Sequence, residues 1–164
     1  MKLAHREGDS VVLVEVFAAG AVAYMVREHL TTPFDPLFDR IGREFDVPPN
    51  LLRAIARVES SFNPKAVNST TLDYGLMQIN KVTASRYGIT DTNELFDPEK
   101  CVRLAARILS DMRRNLRVSG RFSSITWAIA YNVGPDLSPW HVGSVYGQRV
   151  VWNWTLYDLG RTLA

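Results

Sequence analysis

Cysteine is nearly missing. Cys101 is the only one in 164 residues, which excludes an internal disulfide and a cysteine-based metal site. Histidine is almost as scarce: His5, His29 and His141 are scattered without ligand spacing, so neither a metal nor a cofactor is expected. Charge of one sign is not in excess either. Nineteen Lys and Arg against 17 Asp and Glu leave a net charge of +2. That is no nucleic-acid signature, although a pI near 8.8 would suit a carboxylate-bearing partner. Period-two alternation is almost absent, so strands should be few. There are no repeats, no low-complexity tracts and no phosphate-binding glycine loop.

What is there suffices for one domain with a real core, since 46% of the residues are hydrophobic. The long apolar run is Ser10–Val26, interrupted only by Glu15. Beside an ordinary core helix of the domain, three readings of it compete. A signal peptide could be cut after Ala21-x-Ala23, but Glu15 inside the apolar region argues against that. A transmembrane helix would carry a mid-span carboxylate, which costs a few kcal/mol. A helix against protein partners fits Ala19, Gly20 and Ala23, which allow close approach. The reading favoured here is an uncleaved anchoring or assembly helix in residues 1–32, with Thr31-Thr32-Pro33 as the linker to a domain over 33–164.

That domain reads as mainly helical, with at most a small hairpin around Val67 to Tyr74. Asp35-Pro36 predicts a helix start, cap then first-turn proline, and Asn50 is placed to cap the next helix. Lys81 to Tyr87 predicts a short helix ended by Gly88. Asp97-Pro98 opens the longest helix, about 19 residues and roughly 28 Å. Its apolar stripe, Cys101, Leu104, Ala105, Ile108, Met112 and Leu116, suits a central scaffold. Its arginines, Arg103, Arg107, Arg114, Arg117 and Arg121, form either a solvated face or a contact for anionic polymer. Ser123 or Ser124 can cap a helix through Tyr131, and one more helix is expected between Trp140 and Ala164.

Chemistry concentrates between Arg57 and Asn80. Glu59 follows Leu51, Leu52, Ile55 and Val58 at helical spacing, and Asn63-Pro64 stops that helix. A glutamate there can be desolvated and its pKa raised, as a general acid requires. Gln78 is an amide between apolar neighbours and needs hydrogen-bond partners, which sugar hydroxyls or N-acetyl groups would supply. Met77 reads as a packing residue that, at a cleft wall, also meets substrate. Gly75 suits a backbone turn that a side chain would obstruct.

Three motifs stand in register: Glu59-Ser60-x-Phe62-Asn63-Pro64-x-Ala66, Gly75-Leu76-Met77-Gln78-Ile79-Asn80, and Ala130-Tyr131-Asn132-x-Gly134-Pro135. Together, over roughly Phe34 to Tyr157, they resemble the catalytic domain of the soluble lytic transglycosylases, a lysozyme-like family that cleaves peptidoglycan glycan strands. The Asp73-Tyr74-Gly75 lead-in looks most like small relatives serving phage particles, secretion machines and conjugation systems. The resemblance implies an α+β lysozyme-like fold, Glu59 as the catalytic acid, and a virion or cell-envelope setting, membrane-anchored if the N-terminal helix lies in lipid. It places Ser60 in the cleft, gives the Tyr131 hydroxyl the task of orienting Glu59, sets Asn132 beside it, and makes Tyr146 a further cleft tyrosine. One carboxylate then acts as acid and afterwards as base. Goose-type lysozymes carry an aspartate where this chain has Asn80, which argues against ordinary hydrolysis. Asp73, as a possible second carboxylate, keeps hydrolysis open. A structural or wall-binding protein with an inactive enzyme fold is the remaining alternative, against which the intact Glu59, Gln78 and Tyr131 weigh.

Overall fold

The computed structural model describes residues 31–118, 123–133 and 145–162. The expected helix over Ser10–Val26 lies outside the described residues, as do Gly134-Pro135 and Trp140. The described chain is mainly helical, with a small antiparallel sheet. Helix α1 (Asp35–Phe45) and helix α2 (Pro49–Ser60) come first. Strands β1 (Val67–Asn68), β2 (Asp73–Tyr74) and β3 (Ile79–Asn80) follow, then the short α3 (Lys81–Arg86) and a 3-10 turn over Thr92–Phe96. Helices α4 (Pro98–Val118), α5 (Ser124–Val133) and α6 (Val145–Thr162) complete it. Among the described residues no helix is long and apolar enough to cross a membrane.

The sheet goes one strand beyond the hairpin expected around Val67 to Tyr74. Val67 pairs with Tyr74 and Asn68 with Asp73; Asp73 then pairs with Asn80 and Tyr74 with Ile79. Each strand has two residues, too short for any alternation to be read from sequence.

Helix α4 was expected to be the scaffold, but α2 is the more enclosed. Asn50 to Ala56 are buried without a break, and Leu51, Leu52, Ala54, Ile55 and Ala56 are fully so. Helices α1 and α6 flank α2, while α4 packs on α1 and α5. One side of α4 is solvated, as its arginines require. Arg103 pairs with Glu44 and Glu99, Arg107 lies over the Tyr87 ring, and Arg114 reaches Asp111. Arg121 lies outside the described residues.

Two expected caps serve another purpose. Asp35 lies inside α1, whose N-cap is Phe34, and Asn50 lies inside α2, whose N-cap is Pro48; neither cap residue has a side-chain hydrogen bond. Both side chains are drawn to Arg53, whose own side chain is only 4% exposed. Its guanidinium donates to Asp35 Oδ1 (2.7 Å), Asp39 Oδ1 (2.8 Å) and Asn50 Oδ1 (2.8 Å), and stands over the Phe38 ring. Asn50 Nδ2 then donates to Asp158 Oδ1 at 2.6 Å, so one buried cation ties α1, α2 and α6 together. A planar fork of five donors can serve three acceptors at once. Replacing Arg53 by Ala should cost about 3 kcal/mol, because Asp35 and Asp39 then lose their counter-charge next to the core. Urea unfolding measures this, and a loss below about 1 kcal/mol would mean that the network only fills space.

Candidate active site

Glu59 is the penultimate residue of α2, and its helix ends two residues before the expected stop at Asn63-Pro64. Ser61 and Phe62 both take left-handed backbone (φ 51° and 65°), and the Ser61 amide returns to the Arg57 carbonyl at 3.1 Å. The abrupt turn leaves Glu59 at the helix end facing a cleft of about 320 Å³. Its Oε1 accepts a hydrogen bond from the Tyr146 hydroxyl at 2.8 Å. Burial pushes the Glu59 carboxyl up to about 7. The Tyr146 bond opposes that rise, the Asp73 charge adds to it, and the Arg149 charge opposes it. Glu59 is therefore half protonated near neutral pH. Burial, with the Glu59 charge beside it, holds the Tyr146 phenol well above its usual value, so it remains a donor.

The facing wall is the turn from Gly75 to Asn80. Gly75 has φ +78°, and a Cβ there would lie 2.0 Å from the Leu95 carbonyl oxygen and 3.0 Å from Cys101 Sγ. Only glycine fits. From there the turn is fastened by its carbonyls. Ser60 Oγ donates to Leu76 O at 2.7 Å and Tyr131 Oη to Met77 O at 3.0 Å. Gln78, itself left-handed (φ 45°), spends its amide hydrogens on Ala66 O (3.1 Å) and Gly75 O (3.0 Å). The turn is thus held rigidly by side chains from α2 and α5.

Of the residues expected at the site, Glu59, Asp73, Gln78, Tyr131 and Asn132 line this cleft together. Tyr146 joins them through Glu59. Ser60 binds the turn's backbone. Met77 does not wall the cleft: it is fully buried, and what it contributes is the carbonyl that receives Tyr131. The hydrogen bond to Glu59 expected from Tyr131 comes from Tyr146, because Tyr131 is occupied by the turn. Asp73 sits opposite Asn80 in the sheet, with Asn80 Nδ2 donating to its Oδ1 at 2.9 Å. Ile108 and Met112 of α4 and Thr83 of α3 complete the cleft. Sequence reading assigned Ile108 and Met112 to the core, since a cleft wall and a core stripe share one helical period. Arg149 went unnoticed, although it stands one turn after Tyr146. Among the described residues no cluster of His, Cys, Asp or Glu could hold a metal.

A helical domain that sets a half-buried carboxylic acid in an open polar cleft, with Asp73 lining the same cleft, has a layout compatible with glycoside cleavage. Residues 36–142 match the family described as the transglycosylase SLT domain, and the chain belongs to that family. It is 31% identical over 129 residues to the soluble lytic murein transglycosylase of Escherichia coli K12, covering 74% of this chain and 19% of that protein. It is 36% identical over 80 residues to protein IpgF of Shigella flexneri, covering 45% of this chain and 53% of IpgF. The match therefore spans about half of IpgF and about a fifth of the transglycosylase. The solved 70 kDa soluble lytic transglycosylase of Escherichia coli shares the fold, with a TM-score of 0.64 at 23% identity over 89% of this chain and 27% of that one.

A carboxyl at about 7 when folded and near 4.5 when unfolded binds a proton in the native state that the unfolded chain has lost. Stability therefore falls as pH rises from about 4.5 to 7, by roughly 3 kcal/mol in all. Glu59→Gln abolishes the titration. The variant should match the wild type at pH 4 and exceed it by up to about 3 kcal/mol at pH 8. Denaturant melts at the two pH values check this; equal stability at both would place Glu59 in water. Tyr146→Phe removes a donor that favours the ionised carboxylate, so the Glu59 titration should move to higher pH, readable by carboxyl NMR.

Proposed function

We propose that this domain is a peptidoglycan lytic transglycosylase with Glu59 as its one catalytic carboxylate. The observation that carries the proposal is the position of Glu59: desolvated, poised near neutrality, held by Tyr146 and open to a cleft with hydrogen-bonding walls. A β-1,4 glycosidic bond breaks when its oxygen gains a proton as the sugar carbon becomes oxocarbenium-like. Glu59 supplies the proton between N-acetylmuramic acid and N-acetylglucosamine, and Tyr146 stabilises the carboxylate left behind. Glu59 then takes the proton of the muramyl C6 hydroxyl as that oxygen closes onto C1. The product is a 1,6-anhydro sugar, with no water consumed. Gln78 and Asn132 line the cleft where sugar hydroxyls and N-acetyl groups would be recognised.

A second reading has its own observation. Asp73 lines the same cleft as Glu59, as the second carboxylate of a muramidase would. On either reading the substrate is the glycan strand, and the place of action is the cell envelope. Relatives named soluble and membrane-bound lytic murein transglycosylases support that setting. The Asp73-Tyr74-Gly75 lead-in motivates a finer proposal, the local opening of the wall for a phage particle or a secretion or conjugation apparatus. The Ser10–Val26 segment would be its attachment to a membrane or a protein assembly.

Digestion of purified murein should release muropeptides about 18 mass units lighter than hydrolysis products, one water being absent, and resistant to borohydride. Reducing ends as the sole product would make the enzyme a hydrolase. Glu59→Gln should lose at least about 10²–10⁴-fold in turnover while keeping its circular dichroism. Turbidity clearance by that variant at the wild-type rate would remove Glu59 from the chemistry.

A further inference from the structure

We infer that the groove at the far end of α2 from Glu59 is a second wall-binding site, which holds the carboxylate-bearing peptide stems of murein. The inference rests on the proposed murein-cleaving function, because it takes its occupant from that polymer. The groove has a volume of about 540 Å³ and is lined from α1, α2, α4, α5 and α6. None of its described lining residues also lines the cleft. Pro49 opens α2 and Glu59 nearly ends it, so about 15 Å of helix lies between the two sites.

The floor of the groove is apolar and fixed. Trp127 is 3% exposed, and its Nε1 donates to the Leu109 carbonyl at 2.8 Å. Arg113 lies over that ring, 5.2 Å from its centroid. The same guanidinium binds Asp46 through its backbone carbonyl and, at 2.8 Å, through Oδ2. Pro48, Pro49 and the half-buried Trp154 complete the floor. Prolines and packed indoles lose little freedom when a ligand arrives. The rim carries charge. Arg43, in the last turn of α1, and Arg117, in the last turn of α4, are both exposed. Three arginines thus stand against one aspartate among the described lining residues, and Arg113 already answers that aspartate. A peptide stem complements both parts: its carboxylates meet the rim, and its methyl and methylene groups meet the floor. A phosphate polymer would satisfy the rim alone. A stem bound there holds the domain on the wall while α2 presents Glu59 to a strand at its other end.

The test takes the intact chain with Arg43→Glu and Arg117→Glu combined, beside the pair changed to Ala should the reversal unfold it. The probe is the tripeptide L-alanyl-γ-D-glutamyl-meso-diaminopimelate. In the wild type it should shift the Trp154 indole N–H resonance, which Trp154→Phe identifies. Neither the charge-reversed protein nor a tripeptide with amidated carboxylates should give that shift. Turnover of intact sacculi at low salt should fall about 5-fold in the variant, while turnover of peptide-stripped strands should not. Stripped strands keep only a short lactyl carboxylate on each muramyl ring, which cannot leave the ring to enter the groove. A wild type without the shift, or a variant that retains it, overturns the inference. So does an equal loss on both substrates. Loss on neither does the same, and is the outcome expected if the groove holds an acidic segment of a protein partner. If the wild type cleaves neither substrate, the proposed function falls, and the tripeptide shift still decides for or against the groove.

Discussion

The close approach of Gly75 to the Leu95 carbonyl is the constraint on which the cleft depends. No other residue could place its backbone there, since a Cβ would lie 2.0 Å from that oxygen. Because the turn can sink against the chain before α4, the carbonyls of Leu76 and Met77 come within reach of Ser60 and Tyr131. Those two hydroxyls belong to the helices that also present Glu59 and Asn132. A single missing methyl group therefore sets the distance between the acid and the wall that faces it. Raise the turn by even part of an ångström and two hydroxyl bonds from separate helices would have to stretch together.

Polar groups inside this domain are used as fasteners. Arg53 draws Asp35, Asp39 and Asn50 to itself, and through Asn50 it reaches Asp158 on α6. That matters for the site because α6 also carries Tyr146, and α2 carries Glu59. The two residues of the 2.8 Å bond at the acid stand on helices locked to one another by a buried cation at their other ends. Burial of Glu59 costs stability at neutral pH, and the surrounding network offsets that cost. A desolvated carboxyl in a rigid frame is the arrangement that proton transfer needs.

Much of the fold could be read locally. Asp97-Pro98 marked the start of α4, found at Pro98, and Leu51, Leu52, Ile55 and Val58 marked α2. Helical period and proline geometry act over a few residues, so neighbours suffice to reveal them. The caps were less legible. Asp35 and Asn50 have the side chains of helix caps, but a buried arginine competes for the same oxygens and prevails, as a charged donor bonds more strongly than a backbone amide. The two-residue strands left no pattern at all. Their pairing follows from where the turn is fastened.

The candidate acid was legible: Glu59 at the end of an apolar helix, followed by two motifs in register, is singled out among the chain's 17 Asp and Glu, and the structure sets it in the cleft. Which tyrosine serves it was not. Tyr131 sits in the motif and Tyr146 outside it, yet Tyr146 donates to Glu59 across 87 residues of sequence while Tyr131 holds the Met77 carbonyl. Met77, similarly, turned out to be enclosed, and Ile108 and Met112 to be partly cleft wall. Residue type and spacing determine which groups are capable of a role, because chemistry and helix period are local. The assignment of partners was left to the tertiary structure, because a hydroxyl bonds to whatever acceptor lies about 3 Å away, and only the packing of α5 and α6 against α2 decides what that is.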